Sequence, residues 1–392
     1  MDEVRNPFAP GAGSQPPELA GRSAILADAD IALQRIVKGR HSKSQMLLGL
    51  RGVGKTVLLR KIESMAEESN LLTSFIEAPE NQKLSELLYP KIHQILRKLS
   101  NIEQAKTLAH HAMRSLRSFA SAFNIAVGDF SVSVNPEAGS ADSGRLEADL
   151  SDLFERVGKA VQAAHCVWCL FIDEVQYLSK EDLSALIVAI HHANQKNLPI
   201  IFYGAGLPQV AALSGNAKSY AERLFDYPQI GRLDRPSAIH AIRAPILEEG
   251  ESITDEALEA IVQQTKGYPF FLQEWGKQVW NIASQSPITA HDVTEATPIA
   301  LQQLDDSFFR VRFERLTPKE QEYVLTMAMI GEGPSYRSAD IAEILNKNIA
   351  TLAPLRAQII NKGMIYSPAH GDIAFTVPMF DDYLRRRTHH PL

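Results

Sequence analysis

A chain of 392 residues has room for two or three domains at about 100–200 residues each. With 45% hydrophobic and 22% charged residues, its composition is that of a folded globular protein, not a disordered one. A net charge of −6 excludes coating of nucleic acid by bulk charge, and two cysteines exclude a disulfide-built scaffold. No signal pattern and no apolar run of about 18 residues is present, so a cytoplasmic protein without a membrane span is expected.

Residues 1–24 are rich in Pro and Gly and read as an extended arm. Periodicity then predicts a helix over 25–37, a strand over 45–48, a helix over 56–68 and a strand over 71–76. Amphipathic helices follow over 84–99 and 101–123. Asp129 to Val134 alternates like a strand and runs into a small-residue loop, which makes about 100–145 an insertion. Helices over 146–163 and 180–196 flank a continuous apolar run over 166–172, and another strand is expected over 199–203. Strands alternating with helices imply a parallel sheet covered on both faces.

Beyond Pro236 the pattern turns helical, over 236–248, 255–265, 269–283 and 290–310. Three short helices (318–330, 338–345, 350–362) and two strands (364–366, 373–377) then follow in winged-helix order. The expected domains are the arm at 1–24, an α/β domain at 25–235, a helical lid at 236–312 and a winged helix at 313–392.

Two tempting patterns are given ordinary readings. Cys166 and Cys169 form a C-x-x-C, but residues three apart on a strand point to opposite faces, so they read as two small strand hydrophobes. His110-His111 and His191-His192 lack matched ligand spacing and read as solvated helix surface.

Gly49-Leu50-Arg51-Gly52-Val53-Gly54-Lys55-Thr56 matches G-x-x-x-x-G-K-[ST] between a strand and a helix. The glycines let successive backbone N–H groups curl toward phosphate oxygens, and the following helix aims its positive end at the same anion. Lys55 can reach the β- and γ-phosphates of ATP, the Thr56 hydroxyl can ligate Mg²⁺, and Val57 continues the site into the helix. A carboxylate at the end of a buried strand should complete it. Leu170-Phe171-Ile172-Asp173-Glu174 supplies Asp173 for Mg²⁺ and Glu174 as general base toward the attacking water; Gln176 is a further residue able to position water.

With these motifs the chain resembles an AAA+ ATPase, of the origin-recognition-like group and its neighbours among the STAND signalling ATPases. The resemblance implies an α/β P-loop NTPase fold, a helical lid and a C-terminal winged helix. Pro17-Glu18-Leu19-Ala20-Gly21-Arg22 resembles the segment that closes over the adenine, which implies roles for Leu19 and Arg22. Gly267-Tyr268-Pro269 resembles the G-x-P turn of the lid, which places Pro269 near the base. The chain departs from the family at two points. The tip of the strand at 201–206 carries no Asn or Thr, and the helix after Pro269 carries no arginine in Phe270-Phe271-Leu272-Gln273-Glu274-Trp275. Arg223 lies where the family places an arginine finger, which implies a nucleotide-dependent homo-oligomer.

From Thr317 to Leu392 there are 8 Lys and Arg and 8 Asp and Glu. The third helix of the winged-helix pattern, read as the recognition helix, offers Arg356, Gln358, Asn361 and Lys362 to DNA, and Arg385-Arg386-Arg387 is either a phosphate contact or a solvated helix end. Two readings follow: an ATP-driven switch whose winged helix binds DNA, or a signalling or defence module, with slow or no hydrolysis, whose winged helix binds a protein partner.

Overall fold

The computed structural model describes residues 1–11, 16–125 and 141–389, so the strand expected at 129–134 lies outside the described residues. The chain divides into two compact units.

The first unit comprises Ala24–Leu48 and Lys55–Gln229. In chain order it holds α1 (Ser23–Val37), β1 (Ser44–Leu48), α2 (Lys55–Glu68), β2 (Leu72–Glu77), α3 (Leu84–Leu99), α4 (Glu103–Ala122), α5 (Leu146–Ala163), β3 (Trp168–Asp173), α6 (Lys180–Gln195), β4 (Ile200–Gly206), α7 (Val210–Ala217), α8 (Ala221–Leu224) and β5 (Phe225–Asp226). A 3₁₀ turn, Val175–Tyr177, lies between β3 and α6. The strands form one five-stranded parallel sheet in the order β2-β3-β4-β1-β5, with Met46 opposite Gly204 and Leu170 opposite Phe202. Every residue of β1, β3 and β4 is buried, which is why these strands, Gln45 and Asp173 apart, read as small or apolar runs instead of alternating.

Aromatic packing fixes the sheet against its helices. Trp168 meets Phe154 of α5 at 5.2 Å between ring centroids, and its indole N–H donates to the Ser74 hydroxyl at 3.1 Å. Helix α4, inside the segment read as an insertion, buries Ala105, Ala109, Ala112, Leu116 and Phe119 along one face and shares the core with α5. Cys169 is buried on β3, whereas Cys166 precedes the strand and is half-buried; both are free thiols.

The histidine pairs correct the sequence reading, because only His110 is a solvated surface residue. His111 is half-buried against Arg114, His192 Nε2 meets Glu155 at 2.7 Å, and the His191 ring packs 4.4 Å from that of Tyr220.

The second unit comprises Met1–Ser23, Gly49–Gly54 and Ile230–Leu392. It holds α9 (Arg235–Glu248), α10 (Asp255–Thr265), α11 (Pro269–Ile282), α12 (Ala290–Gln303), α13 (Arg310–Glu314), α14 (Pro318–Met329), β6 (Tyr336–Arg337), α15 (Ser338–Ile344), α16 (Ile349–Asn361), β7 (Ile365–Tyr366), β8 (Asp372–Phe375) and α17 (Phe380–His389). Helix starts follow local chemistry: Asp234 caps α9, and reciprocal capping boxes, Thr289 with Asp292 and Thr317 with Glu320, open α12 and α14. The strands β6, β8 and β7 form a small antiparallel sheet.

The single helix expected over 290–310 is interrupted by a π-helical turn, Leu304–Phe309. This turn carries Phe308 and Phe309 into an aromatic cluster in which Phe308 stacks on Phe270 at 4.7 Å and Phe309 on Tyr383 at 5.3 Å. Tertiary packing, which periodicity cannot register, sets the extra residue in the turn.

Phe8 of the arm is buried over Gly276 of α11, where an added Cβ would fall 2.7 Å from its ring. Gly276→Ala is therefore expected to destabilise this unit by about 1–3 kcal/mol, the range for overpacking a fitted core. A lower urea midpoint for the variant checks it.

Candidate functional site

The loop Gly49–Gly54 runs from the end of β1 to the first residue of α2. Gly52 and Gly54 take φ values of +78° and +88°, a region open to glycine at little cost, so the loop can curl as the motif requires. Lys55 opens α2, where helix N–H groups have no intrahelical partner and the dipole favours an anion. Its side chain is buried.

Within the first unit, β4 lies between β1 and β3, and because the strands are parallel their carboxyl ends share one edge of the sheet. The sheet order reverses beside β1, the place where open α/β sheets bind ligands. Asp173 ends β3 and is buried. The Thr56 hydroxyl donates to its Oδ2 at 2.5 Å, and the Glu174 N–H donates to its Oδ1 at 2.8 Å. Burial pushes the Asp173 carboxyl above its ordinary value; the Thr56 hydrogen bond opposes the rise, Glu174 adds to it, and Lys55 opposes it. Two hard oxygen donors, on Thr56 and Asp173, thus converge beside a lysine. This donor set suits Mg²⁺, which takes one or two protein oxygens and completes its shell with phosphates and water.

Glu174 sits in the left-handed region at φ +55°, uncommon for a residue with a Cβ and a form of strain that concentrates at functional sites. The Gln176 side-chain N–H₂ donates to Glu174 Oε2, and its carbonyl accepts from the Leu207 N–H at 3.0 Å. Sequence reading missed this link. The only available signal was the run Gly204-Ala205-Gly206, small residues where a polar side chain was sought.

The second unit holds the loop residues from another set of partners. The Arg51 N–H donates to the Thr376 carbonyl at 2.9 Å, the Phe270 N–H donates to the Gly52 carbonyl at 3.1 Å, and Arg22 donates to the Val53 and Gly231 carbonyls. Burial pushes the Arg22 guanidinium below its ordinary value. Gly49 lies so close to Ile230 that a Cβ would fall 2.1 Å from its carbonyl oxygen. Pro269 opens α11, and Leu19 is half-buried in the arm. Arg22, Phe270 and the loop are therefore neighbours. Val57 is half-buried in the first turn of α2.

Arg223 is exposed on the one-turn helix α8, near enough to His191 to help hold that imidazole below its ordinary value, after the larger effect of burial. In the C-terminal elements the cations offered to DNA are engaged internally. Arg356 donates to the Ser338 hydroxyl at 2.8 Å, and Lys362 pairs with buried Glu320 at 2.7 Å. Arg385 pairs with Asp381 and Asp382, Arg386 with Asp305, and Arg387 lies over the Phe313 ring at 4.7 Å. The three consecutive arginines are thus ties within the unit, neither a free phosphate clamp nor a solvated helix end. Among the described residues no helix is long and apolar enough to cross a membrane, and no cluster of three His, Cys, Asp or Glu residues is placed to hold a metal.

Residues 18–202 match the family described as AAA ATPase domain, and residues 306–384 match a domain of unknown function, DUF8462. No curated protein matches the chain. Among solved structures, the chain is similar to the Walker-type ATPase PABY2304 of Pyrococcus abyssi at 16% identity, with 94% of this chain and 96% of that one covered and a TM-score of 0.56. ORC1 of Aeropyrum pernix, solved in complex with DNA, aligns at 12% identity over 98% of this chain and 96% of its own, with a TM-score of 0.47. RuvB of Thermotoga maritima, a Holliday junction branch migration motor, aligns at 16% identity over 96% of this chain and 98% of its own, with a TM-score of 0.46.

Proposed function

We propose that this chain binds Mg-ATP at the loop 49–56, hydrolyses it, and uses the nucleotide state as a switch, a reading supported by the match of residues 18–202 to the AAA ATPase domain family. The observation that carries this reading is the convergence of Lys55, the Thr56 hydroxyl and the Asp173 carboxylate, with Glu174 as the next residue. The loop amides and Lys55 hold the β- and γ-phosphates. Thr56 and Asp173 hold Mg²⁺, which when bound offsets charge on the phosphate oxygens. Glu174 orients the attacking water and takes its proton. Leu19, Arg22 and Pro269 border the base, and the bound products are ADP and phosphate.

Arg223 completes the site from a neighbouring subunit. Its exposure on α8 supports that role, as does the lack of any polar side chain at the β4 tip or arginine in the Phe270–Trp275 stretch. Such fingers contribute about 10³–10⁵ in rate. Arg223→Ala should lower turnover while ATP affinity holds, and mixing it with Lys55→Ala protein should restore part of the activity, since each supplies what the other lacks. Specific activity that stays constant across a hundredfold dilution, with no rescue on mixing, would favour a monomeric switch.

For the C-terminal elements, read as a winged helix, one observation favours a protein partner over DNA. Lys362, Arg385 and Arg386 pair with carboxylates inside the unit, and Arg356 and Arg387 are held by the Ser338 hydroxyl and the Phe313 ring, so these five side chains are committed to internal contacts. A gel-shift titration separates the two: DNA binding through phosphates falls steeply with salt, by about 10³–10⁵ between 50 and 200 mM for six to ten contacts. We expect no such salt-dependent shift. Its appearance would return the winged helix to a DNA-binding role.

A further inference from the structure

We infer that Gln176 is the positioning residue of this site: it clamps the Glu174 carboxylate and ties it to the tip of β4, replacing the polar strand-tip side chain that the sequence lacks. The inference rests on the hydrolytic reading proposed above.

The geometry starts at the strand ends. Beyond Gly206 the chain reaches Leu207, whose N–H lies past the last residue of β4 and is buried, so it needs an acceptor. The Gln176 carbonyl is that acceptor, at 3.0 Å, and the other end of the same amide donates to Glu174 Oε2. An amide has an acceptor and a donor on one rigid plane, so fixing one fixes the other. A carboxylate there would offer no donor to Glu174, and an apolar side chain would satisfy neither group.

The β4 tip is shaped to admit this side chain. A Cβ on Gly206 would lie 2.9 Å from Gln176 Oε1 and 2.8 Å from Val210 Cγ2, and one on Gly204 would lie 3.3 Å from Val175 Cγ2. Gly206 therefore makes room for the amide from the neighbouring turn, whereas Gly204 makes room for the Phe202 ring, 2.8 Å from where its Cβ would fall. Because Glu174 is held at a positive φ, its side-chain direction depends on such outside support. A shift of the β4 tip would pull on Leu207, then on the amide, then on the base. A misplacement of about 1 Å at a reacting group can cost about 10²-fold in rate.

The experiment is steady-state and single-turnover ATP hydrolysis by the full chain carrying Gln176→Met, Glu174→Gln or both, with ATP affinity measured beside it. We expect Gln176→Met to lower kcat by about 10- to 100-fold with ATP affinity unchanged. In the Glu174→Gln background the same substitution should add almost nothing, because residues acting as one unit lose their effect together. Gly206→Ala is the second variant, since it displaces the amide without altering either side chain, and it should show the same kcat loss at constant affinity. Full activity in Gln176→Met and Gly206→Ala, or losses that multiply in the double variant, would overturn the inference and leave the hydrolytic reading standing. A wild-type chain with no turnover above Lys55→Ala would overturn both.

Discussion

Glu174→Gln is expected to bind ATP normally and to hydrolyse it about 10²–10⁴-fold more slowly, the range that a positioned general base contributes. The amide preserves shape and can still meet the Gln176 side chain, but it cannot take a proton from water. Glu174 is suited to this work by position: it follows a buried metal-ligand candidate, Asp173, and is half-exposed where Asp173 is not. Phosphate release under saturating ATP, with binding followed by a fluorescent analogue, checks both halves. Equal turnover in the variant would remove Glu174 from the reaction.

Lys55→Ala is expected to lose ATP affinity by about 30-fold or more. Truncating one partner of a buried, hydrogen-bonded charge pair costs about 2–5 kcal/mol, and about 1.4 kcal/mol is tenfold in affinity. Lys55 is buried at the start of α2 and close enough to Asp173 to lower its carboxyl pKa against the burial effect, so its charge already acts inside the site. The variant leaves Asp173 without that nearby cation, which weakens the site further. Calorimetric titration of Mg-ATP into both proteins measures the difference, and equal affinities would refute the assignment.

The parts of this site that are legible in the sequence are those built by neighbours in the chain. A glycine loop, the helix it opens and an apolar strand ending in Asp173-Glu174 are local patterns, and they follow the carboxyl ends of β1 and β3, the two parallel strands that flank β4. The parts that are not legible depend on contacts between distant segments. The Gln176 link to Leu207 joins residues 31 apart, and the Arg51–Thr376 and Gly52–Phe270 hydrogen bonds use backbone groups that carry no residue identity. Short elements were hidden for a different reason: β5 and β6 have two residues each, too few for any period to show. The π-helical turn at Leu304–Phe309 followed from the aromatic cluster it feeds, and Arg386 looked free because its acidic partner, Asp305, lies 81 residues away in the sequence.

In the proposed function the loop 49–56 binds Mg-ATP and Glu174 commits it to hydrolysis. The most direct measurement is to load the full chain with Mg-ATP, remove free nucleotide and identify what stays bound, for the wild type, Lys55→Ala and Glu174→Gln. ADP is expected on the wild type, intact ATP on Glu174→Gln and nothing on Lys55→Ala. ATP retained by Lys55→Ala, or ADP on Glu174→Gln at the wild-type rate, would contradict the proposed function.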